Sequence, residues 1–142
     1  MEVLYPGSSE TPRKFALEFV ELREGKQAVF RPFAVTSYPV VHPSGAPAYA
    51  LRVSYEDKNL AFSGDTEWTD VLVRAAIGAD LFICECNSFE KVPNHLDYQT
   101  LMKHREELGC HRLVLTHMGE EMLRRIGELD LEGAEDDQSY VL

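Results

Sequence analysis

His42, Asp65, Glu85 and His117 each stand where a short apolar run gives way to polar residues, and each is of a type that binds metals or moves protons. Tyr38-Pro39-Val40-Val41 runs into His42, and Leu60-Ala61-Phe62-Ser63 runs into Gly64-Asp65-Thr66. Leu81-Phe82-Ile83-Cys84 runs into Glu85, and Leu113-Val114-Leu115-Thr116 into His117. Two histidines with one or two carboxylates form a nitrogen and oxygen ligand set of the kind that suits Zn²⁺ or Mn²⁺. Taken singly, each has a plainer use. His42 before Pro43 fits a turn, Asp65 fits the cap of a following helix, and His117 fits a cap or a core hydrogen bond. Glu85 resists that treatment, because a carboxylate between Cys84 and Cys86 in a buried strand needs a positive or hydrogen-bonding partner.

The elements that would position these groups follow from the pattern. Pro and Gly cluster early, at Pro6, Gly7, Pro12, Pro32, Pro39, Pro43, Gly45 and Pro47, which suits short strands and turns better than helices. Strands are expected at 27–31, 33–41, 49–55 and 60–63, with a polar hairpin turn at 56–59. From residue 67 the rhythm becomes helical, with Val71, Leu72, Ala75 and Ala76 on one face and Gly78 as the stop. Further helices are expected at 98–108 and 120–129, and strands at 81–84, 112–116 and 139–142. Several strands followed by αβαβαβ imply a layered α/β fold, a mixed sheet covered by helices. Functional groups collect at strand ends in such folds, because a rigid scaffold holds the loops there. Gly64 permits the sharp turn that would aim Asp65 back across the sheet edge.

Composition narrows the classes. The 142 residues make one ordinary domain, 44% apolar and 27% charged, with a net charge of −10. That balance argues against a broad basic face for nucleic acid. No apolar stretch approaches the roughly 20 residues of a membrane span, and the first residues do not resemble a signal peptide. Three cysteines are an odd number for a disulfide framework, so a cytoplasmic location is expected. Cys84 and Cys86 read as buried thiols, and Cys110, His104 and His111 as structural or surface groups. Trp68 reads as core, and the carboxylates between Glu128 and Asp137 as a solvated helix end and loop.

The ordered set Leu60-Ala61-Phe62-Ser63-Gly64-Asp65-Thr66, Ala79-Asp80-Leu81-Phe82-Ile83-Cys84-Glu85, Asn94-His95-Leu96 and Leu113-Val114-Leu115-Thr116-His117 resembles the metallo-β-lactamase-fold hydrolases. It looks most like their ribonuclease Z and phosphodiesterase-like branch, over roughly residues 30 to 142. The resemblance implies that His42 binds a first metal, Asp65 bridges two and His117 binds the second. It likewise implies an acid–base role for His95 and an orienting role for the buried Glu85. Two divalent ions, zinc or manganese, would then generate a hydroxide that attacks a phosphodiester or a small ester.

The family's His-x-His-x-Asp-His motif is not in this sequence. The expectation is therefore a partial domain over 1–142, the C-terminal half of an αββα sandwich, with an incomplete ligand set and weak or no metal binding by itself. A small-molecule substrate is expected rather than transfer RNA, since the stretch between His42 and Asp65 is too short for a protruding arm. The alternative expectation is a non-catalytic half-domain that pairs with itself or with a separate N-terminal half through exposed apolar surface.

Overall fold

The computed structural model describes residues 18–142 continuously and, before them, residues 7, 10, 12 and 14–16. Four strands form an antiparallel meander: β1 (Gln27–Phe30), β2 (Phe33–Pro39), β3 (Tyr49–Tyr55) and β4 (Lys58–Phe62). Then α1 (Val71–Ala76), β5 (Leu81–Glu85), α2 (Tyr98–His104), β6 (Leu113–Thr116), α3 (Glu120–Arg124) and β7 (Glu132–Gly133) follow. β4 to β7 pair in parallel, so one mixed sheet of seven strands runs in chain order from β1 to β7. Parallel neighbours in chain order with right-handed crossovers put successive helices on the same face of the sheet. The result is the layered α/β architecture expected from the sequence.

Register shows which side chains meet those helices. Ala61 pairs with Phe82 and Phe82 with Leu113, so these three share a face, as do Cys84 and Leu115. Phe82, Cys84 and Leu115 are buried there with Leu72, Leu101, Leu108 and Met122 from the helical segments. Fully burying side chains of this size contributes about 1.5–3 kcal/mol each, and that is what holds these short helices in place. α1 is only six residues long and could not persist in isolation.

The opposite face is also apolar but less covered. Leu51, Val53, Leu60 and Phe62 lie on it by register, and Phe33 and Phe62 are 46% and 41% exposed. The C-terminal Leu142 lines a groove on this side with Phe33, Val53, Tyr55 and Leu60.

Several expectations about elements need correction. The strand expected at 139–142 does not form; the last strand is Glu132–Gly133, paired with Val114 and Leu115. It forms inside the acidic stretch because the Arg112 guanidinium grips Glu132 with two hydrogen bonds, 2.9 and 2.8 Å long, and Ala134 N–H donates to Leu115. That stretch is thus not wholly solvated loop. The first helix starts at Val71 rather than 67: the Val71 N–H, which a helix from 67 would direct to the Glu67 carbonyl, turns to Thr69 Oγ1 at 3.4 Å, and the Glu67 carbonyl accepts from the Thr66 hydroxyl instead. The second and third helices are shorter than expected, each tightening into a 3₁₀ turn, Arg105–Leu108 and Ile126–Glu128. The hairpin turn is Glu56-Asp57 alone, since Tyr55 pairs with Lys58; Glu56 takes the positive φ of 52° that tight hairpins need.

At the far end of the sheet from His42 and Asp65, Asn59 and Asp80 clasp β4 to β5. Asn59 N–H donates to Asp80 Oδ2 at 2.8 Å, and Asp80 N–H donates to the Asn59 carbonyl at 2.8 Å. The Asn59 N–H, with Lys58 and His111 nearby, holds the Asp80 carboxyl below its ordinary value of 3.8 against the cost of burial. The unfolded chain therefore binds the proton first as pH falls. The stabilisation is present above pH about 4 and is lost as pH drops through the lower folded value. Urea unfolding of Asp80→Asn across that acid range should show a flatter dependence on pH than the parent chain. An unchanged dependence would remove Asp80 from the acid response.

Candidate metal centre

The parallel order brings the C-terminal ends of β4, β5 and β6 to one edge of the sheet, and with them Asp65, Glu85 and His117. Glu85, the last residue of β5, is 1% exposed. It is satisfied from two sides: Thr66 N–H donates to Oε1, and His95 Nδ1 lies 2.9 Å from Oε2. Glu85 N–H donates to Ser63 Oγ at 2.8 Å, and the Ser63 hydroxyl passes on to the Gly64 carbonyl at 2.7 Å. Burial raises the carboxyl above its usual value, the hydrogen bonds from Thr66 and His95 oppose that, and the Asp65 charge adds to it. A carboxylate can only accept from His95 Nδ1, so the ring proton sits there and Nε2 is free.

Asp65 owes its aim to Gly64, whose φ is 61°. A Cβ at Gly64 would lie 2.9 Å from the Tyr49 carbonyl oxygen, so any side chain there meets backbone as well as an unfavourable conformation. Asp65 is not the cap of α1, whose N-cap position is Asp70. His117 likewise does not cap α3, where Gly119 holds that position. Instead His117 turns out of β6 with φ 53°, and its Nε2 lies 3.8 Å from Asp65 Oδ2. Asn87 pins this turn from both sides. Its side-chain amide donates to the His117 carbonyl at 3.3 Å, and its own carbonyl accepts from Gly119 N–H at 2.8 Å.

His95 arrives on the loop between β5 and α2. Asn87 N–H to Leu96 O (2.9 Å) and Tyr98 N–H to Ser88 O (2.8 Å) close the base of that loop. Asp97, itself buried, caps α2 through the Thr100 N–H. The outcome is a cluster in which Asp65, His95 and His117 each offer a ligand atom within 4.8 Å of the others. His95 stands between the other two histidines, its ring centroid 5.2 Å from that of His42 and 5.1 Å from that of His117. His42 lies outside the three-atom group, its ring tilted at 54° to that of His95.

The donor set fits a divalent cation of the borderline class. Tetrahedral zinc with ligands at 2.0–2.1 Å spaces its donors about 3.3 Å apart, and Asp65 and His117 need little adjustment to meet that. Both are about half-exposed, which leaves room for water and substrate. The cysteines are no part of this set. Burial pushes the Cys84 and Cys86 thiols up, Cys86 to about 12, and neither is a thiolate at neutral pH.

The five candidate residues stand out in the sequence, and Ser63, Thr66 and Asn94 belong to the stretches that carry the resemblance, but nothing there assigns a supporting role to these three or to Glu67 and Asn87. The signal for Asn94 was its residue type, since asparagine tolerates the left-handed φ of 69° found there.

A family model described as "Beta-lactamase superfamily domain" matches residues 2–118. The "Probable metallo-hydrolase YhfI" of Bacillus subtilis is 26% identical over 91 residues, 61% of this chain and 36% of that protein. "Uncharacterized protein ML1173" of Mycobacterium leprae is 36% identical over 84 residues, 56% of this chain and 29% of that one. The chain thus spans about a third of the length of the curated relatives it matches, 36% of one and 29% of the other. The crystal structure of YhfI, a metallo-β-lactamase fold protein, superposes with a TM-score of 0.69 and 20% identity, covering 93% of this chain and 58% of that one. Human tRNase Z, short form, superposes with a TM-score of 0.58 and 20% identity, covering 78% and 42%. At these identities the superpositions show a shared fold and nothing finer. Among the described residues, no helix is long and apolar enough to cross a membrane.

The Gly64 turn gives a direct check on how the site is held. Gly64→Ala should destabilise the chain by about 1–3 kcal/mol in urea unfolding, with Asp65 displaced from His117. Wild-type stability in that variant would mean that the turn relaxes freely and does not fix Asp65.

Proposed function

Because this chain belongs to the beta-lactamase superfamily domain family, we propose that its site is the half of a metal-dependent hydrolase centre that acts on a phosphodiester or a small ester. The observation that carries this reading is the convergence of Asp65, His95 and His117 within 4.8 Å at one sheet edge. Asp65 and His117 are the ligands, and zinc or manganese is the cation their nitrogen and oxygen donors favour. A divalent ion there supplies Lewis acidity and brings the pKa of a coordinated water towards about 7.

The chain's own residues account for the rest. His95 is the proton donor: Glu85 on Nδ1 steadies the imidazolium, and the Nε2 proton is free to go to a leaving group. A histidine is suited to this because its ordinary pKa lies near neutrality. The net charge of −10 favours a small substrate over a nucleic acid. Asp65 beside the buried Glu85 concentrates negative charge that a cation offsets.

Calorimetric titration with Zn²⁺ should give at most one weakly bound ion per chain, with the heat lost in Asp65→Ala and His117→Ala. Tight binding of two ions would overturn the incomplete-site reading. His95→Gln should bind zinc as the parent does. In a full-length counterpart, turnover of bis-p-nitrophenyl phosphate or of a lactone should fall about 10²–10⁴-fold in that variant. Loss of zinc binding in His95→Gln would make it a ligand instead.

A second reading is favoured by the uncovered sheet face. Exposed Phe33 and Phe62, and the limited share of the relatives that this chain spans, fit a sheet that packs against a second sheet supplied by the remaining length. The purified chain should then self-associate in light scattering, and Phe62→Lys should reduce that. A monodisperse monomer would argue against this reading.

A further inference from the structure

Three loops at the site are joined by a closed ring of hydrogen bonds that passes through His42. Glu67 N–H donates to the Val41 carbonyl at 2.9 Å, next to His42 in the chain. The Glu67 carboxylate accepts from Asn94 N–H, 3.0 Å from Oε1. The Asn94 carbonyl then lies 2.9 Å from His42 Nδ1, which completes the ring. Thr66 doubles the first link, since its Oγ1 accepts from Val41 N–H at 3.1 Å and donates to the Glu67 carbonyl.

The chemistry of the last link is one-directional. A carbonyl oxygen has no proton to give, so the hydrogen bond requires His42 to carry its proton on Nδ1. In the neutral ring, Nε2 then has the lone pair. Asn94 suits this task because the Glu67 carboxylate anchors its N–H with a charge-assisted hydrogen bond, which fixes where the carbonyl of the next peptide is presented to His42. It presents N–H and C=O to two different loops only because Asn94 takes a φ of 69°. We propose that Glu67 and Asn94 are positioning residues that fix the tautomer of His42, leaving Nε2 as the unprotonated nitrogen of a ring that sits beside His95. Outer partners of this kind orient a ligating imidazole and set which nitrogen is available. The value of this to catalysis rests on the hydrolase reading above, whereas the tautomer itself does not.

The test is long-range ¹H–¹⁵N correlation of the histidine-labelled, metal-free chain, at a pH where the rings are neutral. His42 should appear as the Nδ1–H tautomer. Glu67→Ala should lower its ratio of Nδ1–H to Nε2–H by about tenfold. Glu67→Gln, which keeps an acceptor oxygen, should restore the parent spectrum. Asn94→Gly, which keeps the peptide and the left-handed φ, should also behave as the parent, while Asn94→Val, strained at that φ, should lose the preference. His95, held by Glu85, should remain Nδ1–H throughout and reports that each variant is folded. An Nε2–H tautomer for His42 in the parent would overturn the proposal. So would an unchanged His42 in Glu67→Ala with His95 intact. A chain that passes these tests, while its full-length counterpart turns over neither bis-p-nitrophenyl phosphate nor a lactone with zinc or manganese, would leave this inference standing and remove the hydrolase reading.

Discussion

The site end of the molecule depends on one buried carboxylate. Glu85 closes β5 inside the protein, and its two oxygens are spoken for by the Thr66 N–H and His95. Removing either partner would leave a buried charge without compensation, which costs more than the hydrogen bond itself is worth. That asymmetry ties three separate pieces of chain to one point. The turn after β4, the end of β5 and the loop before α2 must all be in place before Glu85 is satisfied. The Ser63 hydroxyl adds a fourth constraint, because it accepts the Glu85 N–H and so sets how β4 and β5 end relative to each other.

Topology explains why that point is where chemistry gathers. Parallel strands in chain order deliver their C-terminal ends to the same edge, and each crossover returns the chain to start again. The two ends of the sheet are treated differently. At one, Asn59 and Asp80 lock β4 to β5 in a reciprocal clasp that leaves little unsatisfied. At the other, Asp65, Glu85 and His117 leave their strands, and the backbone adopts left-handed φ at Gly64, Asn94 and His117. At His117 and, less so, at Asn94 such a φ costs energy and persists where surrounding contacts over-determine it, whereas Gly64 adopts it freely.

Much of this was legible in the sequence, and the reasons differ by element. β3 was readable to the residue because alternation and flanking turns agree over its whole length. The helices were readable as helices but not in length, since their ends are decided by hydrogen bonds such as Val71 N–H to Thr69 Oγ1 and by the tightening of Arg105–Leu108 into a 3₁₀ turn, which the apolar periodicity does not record. β7 was invisible because two residues in an acidic stretch carry no periodicity; the Arg112 grip on Glu132 comes from a distant segment. At the site, His42, Asp65, Glu85 and His117 stood out by type and by their place after apolar runs, and His95 through the family resemblance alone. Their supports did not. Asn87 and Asn94 work partly through backbone groups, and a backbone hydrogen bond leaves only a weak imprint on residue choice.

The arrangement also carries an internal tension that points outward. Glu85 and Asp65 leave neighbouring strands on the same edge, and the Asp65 charge makes the buried carboxylate harder to ionise. His95 answers Glu85, and His117 approaches Asp65 at 3.8 Å without closing on it. The inner pair is sealed and the outer pair is open. A gradient of this kind is poorly explained by stability alone, because an exposed ion pair contributes little and the left-handed turns that create it are costly. It is well explained if the outer groups are held slightly apart for a third charge. A positive ion between Asp65 and His117 would offset the repulsion between the carboxylates and give the strained turns their purpose.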